Sequence, residues 1–288
     1  MKKITFIKIT GAGNDFVLFD MKFNPDLRLT KEAIVKLCDR RYGIGGDGVI
    51  TIKDIEGADF EMTYYNSDGS SGFLCGNGAR CAIRSAYVSG RLNEGKADFI
   101  NCGKRYKGEI LDPDNVRFYM LPPENIKLNF KIKASGQLIN ASYANTGARH
   151  VVVNIADVLQ DPMDISSAWK DIKEFPAYQL GREIRHNKDF APEGCNVNFI
   201  SIIDNTIYIR TYEKGVEDET FACGTGSAAS AICAHLNYGI KSPVSLITKG
   251  EDRLTVDFNY ESGSFSGLAL SGPAYITYSG EFYSNMYF

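Results

Sequence analysis

The chain has 288 residues, 44% of them hydrophobic and 23% charged, with a formal net charge of −3. That apolar fraction suits one large or two medium globular cores and excludes a disordered chain. The slightly acidic balance, with no lysine-rich or arginine-rich block, excludes a polyanion-binding surface, so no nucleic acid partner is expected.

The N-terminus, MKKITFIKITGAGNDF, opens like a signal peptide, but Lys8 interrupts the apolar stretch and no small-residue cleavage site follows. No apolar run reaches bilayer-spanning length, so a cytosolic protein without membrane association is expected. Short β-like runs then succeed one another: ITFIKI, FVLF, GVITI, FEMTYY, ADFIN, VRFYM, HVVVN, VNFISII, IYIRTYE, VSLIT, LTVDF and AYITY. Glycine, asparagine and aspartate punctuate most of them, the pattern of an extensive sheet with hairpins. Three helices interrupt the series. They are predicted over 31–41 with Thr30 as N-cap, over 77–89 ending at Gly90, and over 225–238 ending at Gly239. The last two, ARCAIRSAYV and SAASAICAHL, are rich in small residues and nearly apolar all round, which predicts burial. An α/β (α+β) fold follows, with one buried helix inside a curved mixed sheet in each half of the chain.

The seven cysteines are Cys38, Cys75, Cys81, Cys102, Cys195, Cys223 and Cys233. An odd number in a chain large enough to bury a core argues against a disulfide framework. No CxxC occurs, and His150, His186 and His235 form no ligand spacing with the cysteines, so no metal is expected. Cys38, Cys81, Cys102, Cys195 and Cys233 read as small hydrophobes of helices and strands. Cys75 and Cys223 differ. Each sits in a glycine turn that opens a helix, LCGNGAR and ACGTGSA.

Those two turns belong to a larger internal repeat. TGAGNDFVLF at 10–19 parallels TGARHVVVNI at 146–155, and YYNSDGSSGFLCGNG at 64–78 parallels RTYEKGVEDETFACGTG at 210–226. In the second pair a strand ends in Asn66 or Glu213, and the cysteine follows after nine or ten residues. Two pairs in the same order indicate duplication, with pseudo-twofold symmetry bringing the two helix N-termini and their thiols together across a cleft. The segment LPPENIKLN at 121–129 is the best candidate for the linker between halves.

Helix N-termini bind anions and lower thiol pKa values, so a carboxylate held there would have its neighbouring carbon beside two sulfurs. As the α-proton leaves, charge accumulates on the carboxylate oxygens, where the helix N–H groups stabilise it. A single base tends to return the proton with retention, whereas one base on each face inverts the stereocentre. No nicotinamide fingerprint, P-loop or pyridoxal lysine motif is evident, which predicts chemistry without a cofactor.

Five segments in order, GAGNDF, GIGGDG, YNSDGSSGFLCGNGAR, EGCNVNF and YEKGVEDETFACGTGSAA, resemble the diaminopimelate epimerases over most of the chain. The resemblance implies a cofactor-independent isomerase that converts LL- to meso-diaminopimelate in the lysine and peptidoglycan pathway. It implies two similar domains, here 1–125 with 276–288 and 126–275, with the C-terminal segment returning to the first, and a homodimer. It makes Cys75 and Cys223 the acid/base thiols, with His150 and Glu213 tuning their protonation. The backbone of Gly76, Asn77, Gly224 and Thr225 would hold the reacting carboxylate, while Asn14, Asn66 and Asn196, together with Glu213, would meet the substrate's polar groups. Asp68 reads as a turn residue.

The chain departs from the family pattern where the substrate's distal carboxylate would bind. Lys214 follows the glutamate where many members have arginine, and Ala148-Arg149 precedes the histidine where others often have Asn-Pro or a similar pair. Lysine cannot reproduce the bidentate clamp of arginine. Two readings of Arg149 stay open: compensation, in which it supplies the lost guanidinium with Lys214 as a second cation, and a solvent-facing arginine with no such role. Two alternatives stay open: a racemase or hydroxyproline epimerase on the same scaffold, and a binding protein in which the two thiols form a redox switch.

Overall fold

A computed structural model describes residues 3–72 and 74–283. In chain order the elements are β1 (Lys3–Gly11), β2 (Asn14–Asp20), α1 (Lys31–Cys38), β3 (Gly48–Ile55), β4 (Ala58–Asn66), α2 (Gly76–Val88), β5 (Lys96–Asn101), β6 (Lys104–Ile110) and β7 (Asn115–Tyr119). There follow β8 (Glu124–Ala134), β9 (Gln137–Asn145), β10 (Arg149–Asn154), α3 (Ala177–Arg185), β11 (Asn196–Ile203), β12 (Thr206–Glu213), β13 (Asp218–Thr220) and α4 (Gly224–Tyr238). The series closes with β14 (Val244–Ile247), β15 (Arg253–Glu261), β16 (Ser264–Pro273) and β17 (Tyr275–Tyr283). Among the described residues no helix is long and apolar enough to cross a membrane.

The α+β chain divides into two compact units. One holds the chain up to Tyr119 with the segment from Ser271 onward, and the other is Met120–Leu270. Each is built to the same plan. In the first, β1 and β2 are antiparallel, β2 and β3 parallel, β3 and β4 antiparallel, and β4 and β5 parallel. In the second, β9 and β10 are antiparallel, β10 and β11 parallel, β11 and β12 antiparallel, and β12 and β14 parallel. Helices α1 and α3 make the equivalent parallel crossovers. The strand flanking each series has a different origin: β8 precedes β9 directly, whereas its counterpart on β1 is the late strand β17.

Helix α2 packs against β1, β6 and β7 of its unit, and α4 against β9, β10 and β11 of its own. Every residue of Gly76–Ala86 and of Gly224–Ala234 is buried, as expected for helices inside a sheet. Small side chains allow this closeness. A Cβ on Gly108 of β6 would lie 2.3 Å from Ile83 Cδ1 of α2, so that position has no room for a side chain. The α2 surface is less uniformly apolar than its sequence suggests: Arg80 and Arg84 are buried, Arg84 donating to the Ala274 and Asp112 carbonyls at 3.2 and 3.0 Å.

Each predicted strand run falls on a strand, with VRFYM, VSLIT and AYITY overrunning theirs by one residue, and the three predicted helices form. Thr30 Oγ1 accepts from Ala33 N at 3.2 Å, and Gly239 ends α4 in the left-handed region at φ 72°. Helix α1 stops at Cys38, short of residue 41, because Asp39 is extended and its side chain accepts from the Arg41 and Tyr42 amides at 2.7 Å. The linker expected over 121–129 is largely strand β8. Past Pro122-Pro123, the alternation Ile126, Leu128, Phe130, Ile132 places one face of that strand against the sheet's partners. Helix α3 lies outside the three predicted helices, although Ala177, Leu180, Gly181 and Ile184 recur at helical spacing and are buried. Its interior glycine weakens the signal, yet a Cβ there would come 2.5 Å from Tyr212 Cβ, so close approach to β12 requires it.

Candidate active site

In the first unit the site begins at the β1–β2 hairpin. Ala12 and Gly13 both have positive φ, 55° and 77°, the geometry of a two-residue turn matched to strand twist, and Gly11 pairs with Asn14. Asn14 therefore opens β2. Its Nδ2 donates to Asp47 Oδ2 at 2.6 Å, and a carboxylate can only accept, so Oδ1 faces the other way. Asn77 Nδ2 donates to that oxygen at 3.4 Å, and Cys75 Sγ lies 3.8 Å from it. Asp47 is itself fixed by Arg40, which bridges Asp47 at 2.8 Å and Asp15 at 2.6 Å. Lys8, only 7% exposed, donates to Asp15 at 2.5 Å and to the Gly45 carbonyl. Burial alone would raise the Asp15 pKa, but Arg40 and Lys8 outweigh it and hold the carboxyl below its ordinary value.

Cys75 is the N-cap of α2, and its sulfur accepts from Gly78 N at 3.4 Å. Asn77 is 1% exposed, and its Oδ1 accepts from Arg80 Nη2 at 2.9 Å, which turns the amide nitrogen toward Asn14. Asn66 ends β4 in a turn, where its Nδ2 donates to Ser70 Oγ at 3.0 Å. Asp68 is a turn residue, accepting from the Ser70 amide at 2.8 Å.

In the second unit, Cys223 is the N-cap of α4 and is buried. Its sulfur lies 3.6 Å from Thr225 Oγ1, and that hydroxyl is 2.9 Å from His150 Nε2. Thr146 Oγ1 donates to the Thr225 carbonyl at 2.7 Å, tying the strand preceding His150 to the first turn of the helix. His150 is fully buried, and burial pushes its pKa down to about 3, so the imidazole is neutral. Glu213 ends β12, and its Oε2 accepts from Thr220 Oγ1 at 3.0 Å.

The two repeats thus share a wiring. Asn77 and Thr225, each two residues beyond a capping cysteine, reach Asn14 and His150, the corresponding residues at the start of a strand. The first turns of α2 and α4 both offer the backbone N–H groups that suit a carboxylate.

The residues expected at the distal end lie around the start of β11. Asn196 is 7% exposed and acts as a strut, its Nδ2 donating to the Arg149 carbonyl at 3.0 Å and its Oδ1 accepting from Lys214 N at 2.9 Å. Strand alternation places Arg149 and His150 on opposite faces of β10, and the Arg149 guanidinium donates to Glu193 at 2.9 Å. Arg149 also lines a cavity of about 410 Å³ with Lys127, Lys131, Tyr143 and Phe190. The Lys214 side chain is exposed.

Of the remaining cysteines, Cys38, Cys81, Cys195 and Cys233 are buried. Burial pushes the Cys38 thiol up to about 11 and Cys195 and Cys233 up to about 12, and it raises Cys81 further. Cys102 departs from the core reading: it is exposed, in the β5–β6 turn at φ 49°. Asp47 and Asn198 are among the residues in contact with the site that the sequence motifs do not single out. An asparagine inside the apolar run VNFISII was the available signal for the second, since a buried amide there must have partners. Among the described residues no group of three or more His, Cys, Asp or Glu could hold a metal ion.

A sequence model of the family described as diaminopimelate epimerase matches residues 6–125 and 142–265. The diaminopimelate epimerase of Chlorobaculum tepidum is 37% identical over 278 residues, covering 94% of this chain and 98% of that one. That of Aquifex aeolicus is 35% identical, covering 96% of each chain. Among solved structures, a phenazine biosynthesis protein of the PhzF family from Bacillus anthracis matches with a TM-score of 0.70 at 15% identity, over 98% of this chain and 100% of that one. A hydroxyproline epimerase from Agrobacterium vitis matches with a TM-score of 0.68 at 15% identity, over 97% and 92%. These two likenesses establish the fold, and the sequence matches establish more: the chain belongs to the diaminopimelate epimerase family.

Proposed function

We propose that this isomerase epimerises LL-2,6-diaminopimelate to the meso form without a cofactor, with Cys75 and Cys223 as its two acid/base thiols. The observation that carries the reading is the paired placement of these cysteines, each the N-cap of a buried helix whose first-turn amides suit a carboxylate. One sulfur, as thiolate, takes the α-proton and becomes a thiol. The electron pair passes into the carboxylate as an enediolate, stabilised by helix N–H groups, and the second thiol then protonates the opposite face of the carbon. The product differs only in configuration, and the two sulfurs have exchanged protonation states.

In this reading the amides at Gly76, Asn77, Gly224 and Thr225 hold the reacting carboxylate, and His150 and Glu213 tune the thiols. Asn14, Asn66 and Asn196 contact the substrate's polar groups. Lys214 and Arg149 supply positive charge for the distal carboxylate, Arg149 exchanging Glu193 for the substrate. Arg149→Ala should then raise KM for diaminopimelate sharply, and an unchanged KM removes Arg149 from this role.

Lysine in place of a clamping arginine keeps a second reading in view, a racemase or hydroxyproline epimerase whose substrate has one carboxylate. Incubating reduced protein in deuterium oxide with LL-diaminopimelate, proline, hydroxyproline and other amino acids, and following α-proton exchange by NMR, separates the two. Exchange with diaminopimelate alone is expected; exchange with none of them overturns the epimerase reading. Cys75→Ala and Cys223→Ala should each abolish inversion, and full epimerisation by either variant would refute the two-base assignment.

A further inference from the structure

The buried polar side chains behind Cys223 form a chain of hydrogen bonds whose direction can be read from its far end. Asn198, in the middle of β11, is fully buried. Its Nδ2 lies 3.0 Å from the Val151 carbonyl oxygen and 3.1 Å from His150 Nδ1, and its Oδ1 accepts from Thr211 Oγ1 at 3.0 Å. A backbone carbonyl can only accept, so the amide atom facing Val151 must be the nitrogen. Its second N–H then points at His150 Nδ1, which is the acceptor. A neutral imidazole whose Nδ1 accepts carries its proton on Nε2, and that N–H donates to Thr225 Oγ1 at 2.9 Å. The threonine hydroxyl has one proton of its own. With the imidazole donating to its oxygen, that proton is available to Cys223 Sγ, 3.6 Å away.

We infer that Asn198 is a positioning residue that fixes His150 as the Nε2–H tautomer, so that the Thr225 hydroxyl donates to Cys223 and stabilises its thiolate. The inference rests on the reading of Cys223 as an acid/base thiol. Asn198 on β11 and Thr225 on α4 hydrogen-bond the two nitrogens of His150, Thr211 on β12 holds Asn198 in turn, and none of the three is charged. Hydrogen-bond complementarity rather than a neighbouring charge therefore sets the tautomer. The second glycine of the CGTG turn belongs to the same device: a Cβ on Gly226 would lie 2.3 Å from Asn198 Oδ1.

Two substrate-free measurements test this. In wild-type enzyme with ¹⁵N-labelled histidine, NMR at neutral pH should show His150 with a bare Nδ1 and a protonated Nε2, the signal being assigned by its loss in His150→Gln. A proton on Nδ1, or a charged ring, overturns the inference. The second follows thiolate absorbance on titrating a Cys75→Ser, Cys102→Ser background. There Thr225→Val should raise the Cys223 midpoint by about one to two pH units, the worth of a hydrogen bond to a charged acceptor, while Thr225→Ser leaves it in place. An unchanged midpoint in Thr225→Val also overturns it. Neither readout uses turnover, so a failed substrate assignment and a failed relay give different results.

Discussion

Gly78 and Gly226 hold the same place in the two repeats, the third residue of a helix capped by a cysteine, yet alanine should be accepted at one and not at the other. At Gly226 the added Cβ would sit 2.3 Å from Asn198 Oδ1 and 3.3 Å from its Cγ. Asn198 cannot yield cheaply, because its amide is held by Val151, His150 and Thr211. Overpacking of about 1 to 3 kcal/mol, plus roughly 1 kcal/mol for a loosened hydrogen bond, opposes a helix-propensity gain of up to about 1 kcal/mol. The net loss is about 1 to 3 kcal/mol, or a Tm lower by roughly 3 to 10 °C. At Gly78 the nearest atoms are Ile50 Cδ1 and Met62 Cε, both at 3.3 Å and both at the ends of flexible side chains. Gly78→Ala should stay within about 0.5 kcal/mol of wild type. Scanning calorimetry of both variants, repeated with Gly226→Ala in an Asn198→Ala background, provides the assay. The clash disappears in that background, so the substitution should become neutral or stabilising there. Equal penalties at the two glycines, or a penalty at Gly226 that survives removal of Asn198, would refute the reasoning.

His150 should make stability sensitive to mild acid. Its folded pKa, about 3, lies below the ordinary 6.5, so the unfolded chain binds the extra proton first and stability is lost as pH falls from about 6.5 toward 3. Between pH 7 and pH 5 this amounts to about 2 kcal/mol. Urea denaturation at the two values should show a smaller drop in His150→Gln; an identical drop would mean the imidazole does not titrate on unfolding in this way. Thiol labelling of the native protein should modify Cys102 and leave Cys38, Cys81, Cys195 and Cys233 protected until denaturant is added. Rapid labelling of any of those four under native conditions, read by mass spectrometry, would contradict the burial described.

How much the sequence reveals depends on whether a signal is local. The cysteine caps were legible because a glycine turn leading into a small-residue helix is a contiguous pattern. The strand runs were legible for a similar reason, each carrying β-branched and aromatic residues between turn residues. Strand β6 was hidden by lysines and by Gly108, whose purpose becomes clear only once Ile83 of α2 is seen against it. The site's supporting residues were harder still. Nothing near Asp47 in the chain announces that it orients Asn14, thirty-three positions away, or that Arg40 clamps both Asp47 and Asp15. Asn196 and Asn198 look interchangeable on one strand, but the first braces two backbone segments and the second contacts the imidazole. Such roles are properties of packing, and a family motif preserves them without explaining them.

The pairing of β17 with β1 has a consequence for how the molecule comes into being on the ribosome. Met120–Leu270 is one continuous stretch and has every strand it needs once it emerges. The unit that begins earlier must wait. Until Tyr275–Tyr283 is synthesised, β1 has β2 on one side and a bare edge on the other, open to association with any extended chain nearby. The half translated first is thus the half completed last, and a nascent chain stalled before the final strand would expose that edge for as long as the stall persists.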